Sequence, residues 1–101
     1  MNSEEVNLIN ALQQKINQIL DFVQKREKIL NKREGEIRIT FSSPKMVEEV
    51  EVSIDSYLMD SSGLESTFVS KSLKGALQKA INGVTYWGQF EKDAPSSSTQ
   101  Y

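Results

Sequence analysis

The first third of the chain gives the backbone nowhere to turn. From Asn2 to Glu34 there is neither glycine nor proline, the two residues that most often end a helix. The segment 2–34 therefore reads as one long helix. Asn2 is placed to cap it, with Glu5 three residues on as the return partner of a capping box. Glu4 and Glu5 suit the positive end of the helix dipole. Lys32 and Arg33 suit the other end, and Gly35 supplies the expected stop. At 1.5 Å per residue such a helix is about 50 Å long, more than a small domain needs to cover one face.

Its apolar residues add a second constraint. Ile9, Leu12, Ile16, Ile19 and Val23 alternate in steps of three and four, and the series continues through Arg26 to Leu30. All but Arg26 are apolar, which is the a/d seam of a coiled coil. Val6, Leu8, Leu20, Phe22 and Ile29 widen the stripe beyond what a two-stranded seam needs. The expectation is that one side packs on the chain's own hairpin and another meets a second helix. The chain would then assemble with itself as a dimer or higher oligomer. The alternative is an amphipathic helix lying on its own sheet. A chain of 101 residues without cysteine has no disulfide to supplement a small core, which makes oligomerisation the natural support.

Beyond Gly35 the period changes from helical to alternating. In 36–42, Ile37, Ile39 and Phe41 share one face, and Glu36, Arg38 and Thr40 the other. In 49–55, Val50, Val52 and Ile54 oppose Glu49, Glu51, Ser53 and Asp55. Two such runs joined by about six residues predict an antiparallel hairpin. Tyr57 and Leu58 could extend its second strand. Arg38 is expected to pair across it with Glu49 or Glu51.

Asp60-Ser61-Ser62-Gly63 reads as a turn. Ser66 or Thr67 is the expected cap of a second helix carrying Val69, Leu73, Leu77, Ala80, Ile81 and Val84. Gly75 inside it suggests close backbone packing, and Gly83 is a candidate end. The stretch 84–90 fits either a continued helix or a short third strand. From Lys92 the composition is that of a disordered tail. The chain is thus expected to be α+β in the order α-β-β-α. Residues 1–34 form an oligomerisation helix, 35–91 a hairpin-plus-helix core, and 92–101 a tail.

The composition removes several chemistries. With no cysteine and no histidine, thiolate nucleophiles, cysteine-ligated metals and the commonest neutral-pH general base are absent. No catalytic residues are assigned and the chain is not expected to be an enzyme. Neither a cofactor nor a metal site is expected, because the acidic spacing fits no calcium loop and no glycine-rich phosphate loop occurs. No stretch is apolar enough to span a bilayer, and the N-terminus lacks the basic and apolar regions of a signal peptide. A cytoplasmic protein without membrane contact is the expectation.

Charge is unevenly spread. Residues 24–34 hold five basic and two acidic groups, and residues 35–65 hold two basic and seven acidic. Lys71, Lys74 and Lys79 on the second helix precede Tyr86, Trp87 and Phe90. Nucleic acid is not the expected partner, because the pI is about 5.1 and the three lysines do not share one helix face. The candidate binding residues are Arg38, Tyr57, Lys71, Lys74, Tyr86, Trp87 and Phe90. The leading expectation is an oligomeric interaction protein that binds another protein through the acidic hairpin and the second-helix aromatics. The small, acidic, Lys/Asn/Ser-rich composition is similar to that of phage proteins, which suggests an inhibitor of a host macromolecule. One alternative is a protein that sequesters a nucleotide-like signal at subunit interfaces. Another is a single-strand nucleic-acid binder. The position of the three aromatics separates these: burial favours the interaction protein, and exposure toward a cationic cleft favours the ligand binder.

Overall fold

A computed structural model of the chain describes residues 2–26, 28, 35–42, 49–55 and 66–93. The elements are α1 (Ser3–Arg26), β1 (Glu36–Ser42), β2 (Glu49–Asp55), β3 (Thr67–Ser70) and α2 (Leu73–Asp93). The class is α+β, and the order is α-β-β-α with a short third strand before the last helix. That third strand lies at 67–70, whereas 84–90 continues α2.

The capping box at the start of α1 is formed. The Asn2 N–H donates to Glu5 Oε1 at 3.1 Å, and the Glu5 N–H donates to Asn2 Oδ1 at 2.8 Å. The helix ends earlier than its composition predicts. Lys28 adopts a left-handed backbone with φ 58°, and its N–H donates to the Lys25 carbonyl, as in a left-handed helix stop. α1 thus ends at Arg26, with Lys28 in a helix-stop conformation. Leu30 and the rest of the expected extension lie outside the described residues.

The sheet is antiparallel in the order β1-β2-β3. Ile37 faces Ile54, Ile39 faces Val52 and Phe41 faces Val50. On the other side Val52 faces Phe68. Val50, Val52, Ile54 and Phe68 are buried on the face that both helices cover. This register moves the hairpin ion pair. Arg38 stands opposite Ser53 and bonds Asp55 at 2.8 Å, rather than Glu49 or Glu51. The expected turn at 60–63 and the strand extension at Tyr57 and Leu58 fall outside the described residues.

Three long-range contacts show that α1 and α2 run parallel. Glu4 pairs with Lys74 at 2.7 Å near their starts, Ile19 packs on Gly88, and Arg26 pairs with Glu91 at 2.6 Å near their ends. The seam of α1 therefore meets a helix of its own chain. Leu12, Ile16 and Val23 are buried, and Ile9 and Ile19 are partly buried against the core. Leu12, Ile16 and Leu20 belong to one cluster with Val52, Ile54, Leu77, Val84 and Trp87. The first helix is thus part of the same core as the hairpin rather than an arm apart from it.

The second helix begins later and ends later than expected. Ser72, not Ser66 or Thr67, caps it: its Oγ accepts the Gly75 N–H at 3.0 Å. Val69, read as part of its apolar stripe, lies instead on β3 and is exposed. Lys92 and Asp93, expected in the tail, are still helical, and 94–101 are outside the described residues. Gly83 does not end the helix but lets β3 approach it. A Cβ there would lie 2.5 Å from the Phe68 ring. The Thr85 hydroxyl is satisfied by the Ile81 carbonyl at 2.7 Å, which helps a β-branched residue sit in a helix interior.

Candidate functional site

The buried stripe of α2 is Leu73, Ala76, Leu77, Ala80, Val84, Trp87 and Glu91, at steps of three, one, three, four, three and four. Steps of three and four bring these side chains to one helix face. Tyr86 and Phe90, one position before Trp87 and Glu91, are thereby turned outward and are 64% and 54% exposed. The three aromatics are thus split. Trp87 is core, 1% exposed, and its indole N–H donates to Glu91 Oε1 at 3.0 Å. Tyr86 and Phe90 are surface.

The strand order leaves β3 at one side of the sheet. The Ile54 N–H donates to the Ser66 carbonyl at 2.8 Å. In an antiparallel ladder the residues two further on repeat that pattern. Phe68 and Ser70 therefore turn their backbone groups toward β2, and Thr67 and Val69 turn theirs outward. Among the described residues no strand pairs with that outer edge. Between the edge and α2 lies a groove of about 680 Å³. Thr67, Phe68 and Val69 line it from β3, and Lys79, Asn82, Gly83 and Tyr86 from α2. The missing side chain at Gly83 lets the buried Phe68 ring close against the helix at the floor of the groove.

Lys79 is the one charged residue among those seven. Its Nζ donates to the Val69 carbonyl at 2.9 Å, so the ammonium sits on the strand edge. Val69 itself is 41% exposed. The groove thus combines apolar surface, outward backbone groups and one cation.

The other candidates do not gather here. Arg38 projects from the opposite face of the sheet and is held by Asp55 at 2.8 Å and Glu36 at 4.0 Å. Lys74 is held by Glu4. Lys71 is exposed beyond the end of β3. Tyr57 is outside the described residues. Within one chain, Arg38 and the aromatics of α2 therefore form no common cleft. The acidic side chains of the hairpin lie on the outer sheet face, away from the helices. Among the described residues no group of three or more carboxylates is arranged to hold a metal ion, and no helix is long and apolar enough to cross a membrane.

Thr67, Val69, Lys79, Asn82 and Gly83 are not among the sequence-predicted site residues. Lys79 entered only in the comparison with nucleic-acid binders, Gly83 as a candidate helix end, and Val69 as part of the helical spacing. No protein-family model matches the chain, and neither a curated protein nor a solved structure matches it.

Proposed function

We propose that this is a non-enzymatic interaction protein that binds another protein at the groove between β3 and α2. The observation that carries this reading is the sorting of the second-helix aromatics. Trp87 lies in the core, Tyr86 is exposed and lines the groove, and Phe90 is exposed one turn further along the helix. The groove's single ammonium is bonded to the Val69 carbonyl, which falls short of the converging cations that a nucleotide-like ligand needs. Exposed aromatics around a concave apolar surface are the usual anchors of protein interfaces. The chemistry available there is recognition rather than reaction: one ammonium, one phenol, one aliphatic hydroxyl, one amide side chain and backbone groups. Inhibition of a host macromolecule by a phage-type protein is one role such a surface could serve.

Panning a displayed library of random short peptides on the full chain tests the reading. Enriched peptides should lose binding to Tyr86→Glu, a surface change expected to leave the helical circular dichroism intact. Failure to enrich any peptide, or enrichment indifferent to Tyr86→Glu, would overturn it.

A further inference from the structure

We infer that the groove takes its partner as an added β-strand, and that Lys79 selects an extended peptide carrying a carboxylate. This rests on the groove being the binding surface. The outward backbone of Thr67 and Val69 offers N–H donors and carbonyl acceptors at strand spacing. An extended backbone is the partner that satisfies such a row, and a groove between an edge strand and a helix also receives its alternate side chains. The side chains turned toward α2 would meet Tyr86 and the helix surface at Gly83, floored by the buried Phe68, so apolar residues fit at those positions.

Lys79 supplies the charge complementarity. In the free chain its ammonium sits on the Val69 carbonyl, the acceptor that an incoming strand would use. Lysine is a common guard of exposed strand edges. An ammonium moves from a neutral carbonyl to a carboxylate with a gain in electrostatic attraction. A peptide with a carboxylate at the groove mouth therefore draws Lys79 away and frees the Val69 carbonyl for pairing. A peptide without one must compete with the lysine. A second copy of this chain is a poorer occupant, because pairing β3 with its own copy about a two-fold axis brings two Lys79 ammonium groups to the same edge.

The probes are two blocked peptides of alternating valine and threonine. One carries a single glutamate and its twin carries glutamine in the same place. The full chain should bind the glutamate peptide about threefold more tightly at low salt, the range of an exposed ion pair. The bound peptide should slow amide exchange at Thr67 and Val69. Lys79→Met should bind both peptides equally. Binding without slowed exchange at Thr67 and Val69, or without a glutamate preference, overturns the inference and leaves the groove reading standing. No binding of either peptide also overturns it, and the random-library panning then decides the groove reading by itself. Slow exchange at Thr67 and Val69 in the unliganded chain, together with a dimeric mass, would assign the edge to a second copy and likewise overturn it.

Discussion

Arg26 and Glu91 meet at 2.6 Å across the ends of the two helices, 65 residues apart in the chain. Their side chains are only 14% and 11% exposed. Arg26 Nη1 also donates to the Glu91 backbone carbonyl, and the Trp87 indole occupies the other carboxylate oxygen. One carboxylate thus ties α1 to α2 and fixes the largest core side chain. This is the physical reason that an acid sits in the buried stripe of α2, at the step after Trp87.

Removing Glu91 takes away the carboxylate that the Arg26 guanidinium and the Trp87 indole share. Glu91→Ala is expected to cost about 3 kcal/mol of stability, the lower end for a broken buried pair. Glu91→Gln keeps an acceptor for the indole and should cost less. Urea unfolding followed by tryptophan fluorescence measures both. A loss below about 1 kcal/mol for the alanine variant would mean that the cluster is not a structural tie.

Gly83 is expected to resist substitution although it is helical. Alanine would gain about 1 kcal/mol of helix propensity. Its Cβ would strike the buried Phe68 ring, and overpacking of this kind costs about 1–3 kcal/mol. Gly83→Ala should therefore be destabilised by about 1 kcal/mol, and Phe68→Leu in the same chain should recover part of that coupling. A double-mutant cycle by urea unfolding checks it; simple additivity would show that the helix and β3 are not in contact there.

Lys28 pays a backbone cost that glycine would not. A left-handed conformation disfavours any residue with a Cβ by about 1 kcal/mol or more. Lys28→Gly should raise stability by up to about 1 kcal/mol, and Lys28→Val should lower it. A melting curve of each variant is sufficient. Equal stabilities would argue against a helix stop at this position.

Much of the fold was legible because periodicity reports burial. The alternation of Ile37, Ile39, Val50, Val52 and Ile54 gave the hairpin and its inner face, and Asn2 with Glu5 gave the first cap. The α1 seam was also legible as a helix-contacting stripe. Sequence spacing alone cannot say whose helix is across it, and the Ile19–Gly88 contact places α2 of the same chain there. The short third strand was anticipated but near 84–90 rather than at 67–70, because four residues are too few to show a period of two, and Val69 happened to extend the spacing of α2. The helix end at Lys28 was missed because lysine is a good helix former, and nothing local announces a positive φ. Tyr86, Trp87 and Phe90 were recognised as a set. Only the register of the helix divides them into one core residue and two surface residues.

The seam also sets an expectation for solution behaviour. Ile16 is fully buried within the single chain, so Ile16→Asp should unfold it, at a cost above about 4 kcal/mol. Phe22, 45% exposed on the same helix, should tolerate Phe22→Ser with little change in stability. Circular dichroism separates the two. A folded Ile16→Asp variant with a reduced mass would instead assign the seam to an interface between copies.

The central claim is the location of the binding surface, and mapping backbone amide shifts with a library-selected peptide tests it most directly. The largest changes should fall on Thr67, Val69, Lys79, Asn82, Gly83 and Tyr86, with Arg38, Glu49 and Glu51 on the outer sheet face unaffected. Changes concentrated on Arg38, Glu49 and Glu51, with the groove residues unmoved, would contradict the account and return the working surface to the acidic hairpin.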